Sequence, residues 1–250
     1  MPTTNPHIRA WLATSIVATC VFIVLAIMYG TGSPVNRLDL WLGVIFHDLL
    51  DYEIIWLNRS MKVFSFFGGE GLLIVAACVA AYLALRRWWG EAFLWLGSVG
   101  GIIVFNRVLK DYFETIRPMV GHTGVVEEST GFPSGHAMIA VVTYGLLATM
   151  IAARAATRTT RLACTMMSIA LICLISLSRL YLSVHYLSDV LGGLAAGIAW
   201  LGFSICIFTT HAARSKRAPF AGVGTANVSH PPQRDAASYM VVRVDDVPER

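Results

Sequence analysis

Charged side chains are scarce in this chain: Asp, Glu, Lys and Arg together make up 14% of its residues, against 56% hydrophobic ones. A soluble domain carries about 25% charged residues, so a water-bathed globular surface is excluded and a polytopic membrane protein is expected. Cysteine is sparse too. All five, Cys20, Cys78, Cys164, Cys173 and Cys206, lie inside apolar segments with no C-x-x-C or metal-type spacing. They read as small packing residues, neither a disulfide framework nor a metal site. No metal, no cofactor and no nucleic-acid partner are expected.

What is abundant is apolar sequence of spanning length, about 17 to 25 residues per helix. Six stretches qualify, from about Trp11 to Tyr29, Val63 to Leu85, Phe93 to Leu109, Gly135 to Ala153, Leu162 to Leu177 and Tyr186 to Phe208. The expected fold class is therefore all-α, a six-transmembrane-helix bundle embedded in a lipid bilayer. The first stretch is longer than the apolar core of a signal peptide, about 7 to 15 residues, and no A-x-A site follows Gly30, so it reads as a retained span. Residues 1–208 form one expected domain. Beyond Phe208 the sequence turns polar and charged, from HAARSKR to DDVPER, without sustained periodicity, so 209–250 reads as a disordered cytoplasmic tail.

Lysine and arginine set the orientation. Arg9, the Arg86–Arg87 pair, the Arg154, Arg158 and Arg161 group, and Arg214, Lys216 and Arg217 fall on one side of a six-span chain, which the positive-inside rule makes cytoplasmic. Both termini then face the cytoplasm, and the loops Thr31 to Lys62, Lys110 to Pro133 and Arg179 to His185 face outward, to the periplasmic or extracellular side of the cell membrane. In the first of these, DLWLGVIFHDLLDYEIIWLNRSMK carries apolar residues at helical spacing with Asp48, Asp51 and Glu53 between them. It reads as an interfacial amphipathic helix that either guides a lipid or caps the bundle, with Asp48 and Asp51 solvated.

Three polar clusters occur on the outward side. In KDYFETIRP, Lys110 and Arg117 are seven residues apart at the end of the third span, and Pro118 disfavours helix at Arg117. In GFPSGHAM, Ser134 reads as an N-cap, with Gly135 and His136 in the first turn of the helix that follows. Free backbone N–H groups and partial positive charge at such a start favour an anion, and Gly135 leaves the approach open. In SRLYLSVHYLSDVLGG, His185 and Asp189 at i and i+4 share a helix face, so the carboxylate can hold one imidazole nitrogen as N–H and leave the other as a lone pair. Arg179 offers a planar fork for two phosphate oxygens; a structural salt bridge from Arg179 to Asp189 is the competing reading. Three cations, a helix start, two histidines and an orienting carboxylate on one face suggest phosphate chemistry.

The pattern Lys110-x6-Arg117-Pro118, Pro133-Ser134-Gly135-His136 and Ser178-Arg179-x5-His185-x3-Asp189 resembles the three-part signature of the type 2 phosphatidic acid phosphatase family, within the acid phosphatase–vanadium haloperoxidase superfamily. Every signature position is filled, over residues 110–189. The resemblance implies that His185 is a nucleophile forming a phosphohistidine, that Asp189 orients it, and that His136 is general acid to the leaving oxygen and then base to water. It implies that Lys110, Arg117, Ser134, Gly135 and Arg179 cradle the phosphoryl oxygens. The cations then serve where other enzymes use magnesium, and no metal is required.

The same signature serves lipid phosphates, polyprenyl pyrophosphates, lipid A phosphates, soluble sugar phosphates and vanadate-dependent halide oxidation. Six spans and the short loop GHTGVVEESTG favour a membrane lipid substrate, with phosphatidylglycerophosphate, phosphatidic acid and undecaprenyl pyrophosphate as candidates. A soluble sugar-phosphate phosphatase, and a non-catalytic protein that binds or flips an anionic lipid, are the alternatives. Glu127 and Glu128 in that loop read as pointing to water. Glu70, among Gly68, Gly69 and Gly71, reads as bonded to a neighbouring helix. Gly97 with Gly101 and Gly193 with Gly197 have the small-xxx-small spacing of close helix packing within the bundle. The sequence sets no oligomeric state.

Overall fold

The computed structural model describes residues 6–30, 34–52, 54–113 and 130–214. They form α1 (Pro6–Gly30), α2 (Pro34–Asp51), α3 (Ile55–Gly68), α4 (Glu70–Leu85), α5 (Trp89–Phe113), α6 (Gly135–Arg154), α7 (Arg158–Tyr181) and α8 (Leu187–Arg214). No strand occurs among the described residues. Five helices, α1, α5, α6, α7 and α8, are long and apolar enough to cross a membrane, and α3 with α4 makes a sixth when the pair is counted as one span.

Each expected span falls on helix, but the second is not continuous. The run Val63 to Leu85 straddles a break at Gly69, where the axes of α3 and α4 differ by 43°. Gly69 leaves the helical region at φ −117°, ψ −109°, and glycine pairs are among the recognised causes of sharp kinks. The expected amphipathic helix is also divided: α2 ends at Asp51 and α3 begins at Ile55. Asp48 is exposed, as expected; the Asp51 side chain and Glu53 lie outside the described residues, as does the tail from residue 215.

The core forms where α6 meets α5, α7 and α8. Trp95, Ile102, Met138, Val142, Leu146 and Ile205 are fully buried there, and the Trp95 indole N–H donates to the Ala76 carbonyl of α4 at 3.0 Å. Burying such side chains supplies the packing that a bilayer cannot, since lipid tails are as apolar as leucine. Helix α8 approaches α6 through Gly193 and Gly197: a Cβ built there would come within 2.5 Å of the Ser134 carbonyl oxygen and 2.7 Å of that of Met138. The other expected glycine pair serves only in part. Gly101 lies under the Trp200 ring, whereas Gly97 faces open space.

The two ends of the bundle differ in chemistry. At one end, the Arg86 and Arg154 guanidinium groups lie 5.0 and 4.7 Å from the Trp88 ring centre, cation–π contacts that hold two of the expected cytoplasmic cations together. The other end gathers the finish of α5 and α7 and the start of α6 and α8.

Candidate active site

The loop between α7 and α8 is short and tightly wound. Leu182, Ser183 and Val184 donate their amides back to the carbonyls of Ser178, Leu180 and Arg179 at 3.0 to 3.2 Å, and Ser183 takes a left-handed conformation at φ 52°. This turn delivers His185, which lies in the bend ahead of α8 and not, as the i, i+4 spacing suggested, on one helix face with Asp189; Asp189 follows in the first turn of α8, and both are buried. His185 Nδ1 lies 3.2 Å from Asp189 Oδ2, and the same oxygen accepts the Tyr186 amide at 3.0 Å. With a carboxylate at Nδ1, the imidazole proton belongs there and Nε2 carries the lone pair. Burial pushes the nearby Tyr186 phenol above its ordinary pKa, and the carboxylates of Asp189 and Asp39 add to the shift.

Ser134 occupies the N-cap position of α6, but its hydroxyl does not cap, which corrects the sequence expectation. The Oγ is buried with no hydrogen-bond partner among the described residues, while the backbone amide donates to the Asp189 carbonyl at 2.9 Å. The α6 start thus keeps its own N–H groups and a hydroxyl uncommitted to the cap, the donor set an anion needs. Gly135 sits where a Cβ would come within 2.7 Å of Asn106 Oδ1; Asn106, buried on α5, donates to the Pro133 carbonyl at 3.4 Å. His136, half-buried, lies against the α3–α4 break: a Cβ on Gly69 would stand 3.0 Å from its Nε2. The lack of side chains at Gly68 and Gly69 therefore gives the second histidine its room.

Arg179, in the last turn of α7, is fully buried and donates from a terminal guanidinium nitrogen to Ser65 Oγ of α3. Beside it, the Tyr181 hydroxyl donates to Asn58 Oδ1 at 2.5 Å, so α3 and the end of α7 are joined twice. Lys110 lies in the last turn of α5, where its carbonyl accepts from Thr130 Oγ1 at 3.2 Å, and the rings of Phe113 and Phe132 pack 4.9 Å apart. These contacts tie the Lys110 turn to the segment leading into Ser134. Arg117, with Pro118, Glu127 and Glu128, lies outside the described residues. Glu70 is exposed in the first turn of α4 and, against expectation, makes no hydrogen bond or ion pair to a neighbouring helix among the described residues; a carboxylate there suits the positive helix end.

Ser134, Gly135, His136, Arg179, His185 and Asp189 thus converge on one end of the bundle, with Lys110 one helical turn beyond Asn106. Asp39, Asn58, Ser65 and Asn106 support that end without having been singled out in the sequence.

The chain matches the family model of the PAP2 superfamily over residues 91–213. Phosphatidylglycerophosphatase B of Bacillus subtilis (strain 168) is 31% identical over 146 residues, which cover 57% of this chain and 71% of that protein. The chain belongs to the PAP2 superfamily. The matched residues run from α5 to α8, so all the signature positions of this PAP2 protein fall within them. Its fold resembles the crystal structure of the first transmembrane PAP2 type phosphatidylglycerolphosphate phosphatase from Bacillus subtilis, with a TM-score of 0.70 at 25% identity, covering 82% of this chain and 98% of that one. Glucose-6-phosphatase 3 of Homo sapiens is 27% identical over 183 residues; these cover 64% of this chain and about half, 51%, of that relative. With its apolar helices and these likenesses, this PAP2 protein is a multi-pass membrane protein.

Proposed function

We propose that this PAP2 protein hydrolyses a lipid phosphate monoester or pyrophosphate at the outer face of the cell membrane, through a phosphohistidine on His185. That it is a membrane phosphatase rests on its superfamily and its phosphatase relatives. The observation that carries the mechanism is the buried His185–Asp189 pair, whose Nδ1 contact at 3.2 Å directs the lone pair to Nε2.

In the proposed reaction Nε2 of His185 attacks phosphorus and the bond to the lipid oxygen breaks, while His136 gives that oxygen a proton. Water then attacks the phosphohistidine, His136 takes a proton from it, and inorganic phosphate leaves with His185 restored. Charge building on the equatorial oxygens is met by Arg179, Lys110 and Arg117, by the Ser134 hydroxyl, and by the N–H groups at Gly135 and the α6 start, so no metal takes part.

A lipid substrate is favoured by a site at the end of an apolar bundle and by the relative called phosphatidylglycerophosphatase B. Helix α2 buries Asp39 and Leu50 while exposing Leu40, Trp41 and Val44, the two-faced pattern of a helix lying in a membrane interface. Phosphatidylglycerophosphate, phosphatidic acid and undecaprenyl pyrophosphate are the candidate substrates; the positive-inside rule supports an outward site with both termini cytoplasmic. A phosphate-release panel in detergent, setting these three against glucose 6-phosphate, tests the reading. Release from a lipid supports it; release from the sugar phosphate alone contradicts it.

A further inference from the structure

The buried carboxylates among the described residues are Asp39, Glu91 and Asp189. Asp189 belongs to the site, and Glu91 lies in the first turn of α5, at the opposite, basic end. Asp39 has no part in the chemistry above, yet a carboxylate is among the costliest groups to bury unless it is fully bonded.

It is bonded on both oxygens to one residue. Oδ1 accepts the Ser188 amide at 2.9 Å and Oδ2 accepts the Ser188 hydroxyl at 2.6 Å, across 149 positions of sequence. Ser188 lies in the first turn of α8, next to Asp189. The opening turn of a helix has amides without intrahelical partners and a partial positive charge, and Asp39 supplies both an acceptor and a negative charge from another helix. A second contact holds α2 there: Leu50 and Phe46 pack with Tyr181, Leu182 and Val184, in the turn immediately before His185. Helix α2 thus grips the chain on both sides of that histidine. The His185–Asp189 contact, at 3.2 Å, is at the long limit of an N–H···O bond, so a small tilt of the α8 start breaks it.

We propose that Asp39 is a positioning residue for the His185–Asp189 pair: by clamping Ser188 it fixes the first turn of α8, so that Asp189 Oδ2 stays aimed at His185 Nδ1. Asp39 lies outside residues 91–213, so the clamp is built from a part of the chain that the family match does not cover. The proposal rests on His185 as the nucleophile, and His185→Ala, assayed alongside, tests that premise separately.

The experiment is steady-state hydrolysis of phosphatidylglycerophosphate in mixed micelles by the full chain carrying Asp39→Ala, Asp39→Asn or Ser188→Ala. Leu83→Ala, a core truncation among the residues around Trp95, serves as the stability control. Residues that orient metal ligands from the outer shell are worth roughly ten- to a hundredfold in activity, and a loss of the same order is expected for a residue that orients a nucleophile's carboxylate. Asp39→Ala is expected to lose kcat to that extent with KM changed less than about threefold, and Ser188→Ala to lose less. Asp39→Asn, which still accepts the Ser188 amide and can donate to its hydroxyl, recovers most of the loss, while Leu83→Ala lowers Tm and keeps kcat. Wild-type kcat in Asp39→Ala overturns the proposal. So does an Asn variant no better than Ala, or a kcat loss that Leu83→Ala matches at equal Tm. If Asp39→Ala does not fold, Ser188→Ala decides: a fall in kcat at a Tm above that of Leu83→Ala supports the clamp, and wild-type kcat overturns it.

Discussion

The Ser134 amide donates to the Asp189 carbonyl at 2.9 Å, which joins the start of α6 to the first turn of α8 by backbone alone. Two parts of the signature, more than fifty positions apart in sequence, are thereby set as one rigid unit. A misplacement of even about 1 Å at a reacting centre can cost on the order of a hundredfold in rate.

The closeness of that joint depends on Gly193, where a Cβ would meet the Ser134 carbonyl oxygen at 2.5 Å. Gly193→Val is expected to destabilise by about 1–3 kcal/mol, the usual cost of overpacking, and to lower activity further than the loss of folded protein accounts for. Thermal unfolding in detergent, beside specific activity of the folded fraction, checks both.

Ser134→Ala separates function from stability. The hydroxyl is buried without a partner among the described residues, so its removal leaves Tm unchanged or raised, because an unsatisfied buried polar group is itself a cost of about 1–3 kcal/mol. Phosphate release is expected to fall roughly tenfold or more as a donor to the phosphoryl oxygens is lost.

Arg179→Lys keeps the charge and loses the fork. A lysine ammonium is a point charge that cannot bond Ser65 and grip two phosphate oxygens in one plane. Expected is a fall in kcat/KM of about a hundredfold, comparable with removing one oxyanion donor, measured on the best substrate of the panel.

Because cations and helix-start amides are proposed to meet the developing charge, EDTA is expected to leave turnover intact, and vanadate, which mimics phosphate, to inhibit it. Loss of activity on chelation, restored by a divalent ion, speaks for metal chemistry instead.

The signature was legible in the sequence because its logic is local. His185 and Asp189 sit only four positions apart, one in the bend before α8 and the other in its first turn, and Pro133–Ser134–Gly135 spells a helix start whatever surrounds it. What was not legible is non-local. Arg179 finds Ser65 across 114 positions and Ser188 finds Asp39 across 149, and a buried aspartate in an amphipathic run looks the same as a solvated one until its partner is known. The six apolar runs gave the spans, but hydropathy continues through Gly69 and so hides the break between α3 and α4. The Ser134 hydroxyl was misread for a related reason, since an N-cap residue type does not say whether its oxygen is turned to its own helix.

The most direct measurement is capture of the covalent intermediate. The enzyme is mixed with lipid substrate labelled in the phosphoryl group, quenched in alkali within the first turnovers, and its peptides are mapped by mass spectrometry. The expected result is an acid-labile, alkali-stable phosphoryl group on His185, absent from His185→Ala, and both formed and hydrolysed more slowly in His136→Ala. Turnover without label on His185, or activity retained in His185→Ala, contradicts the account.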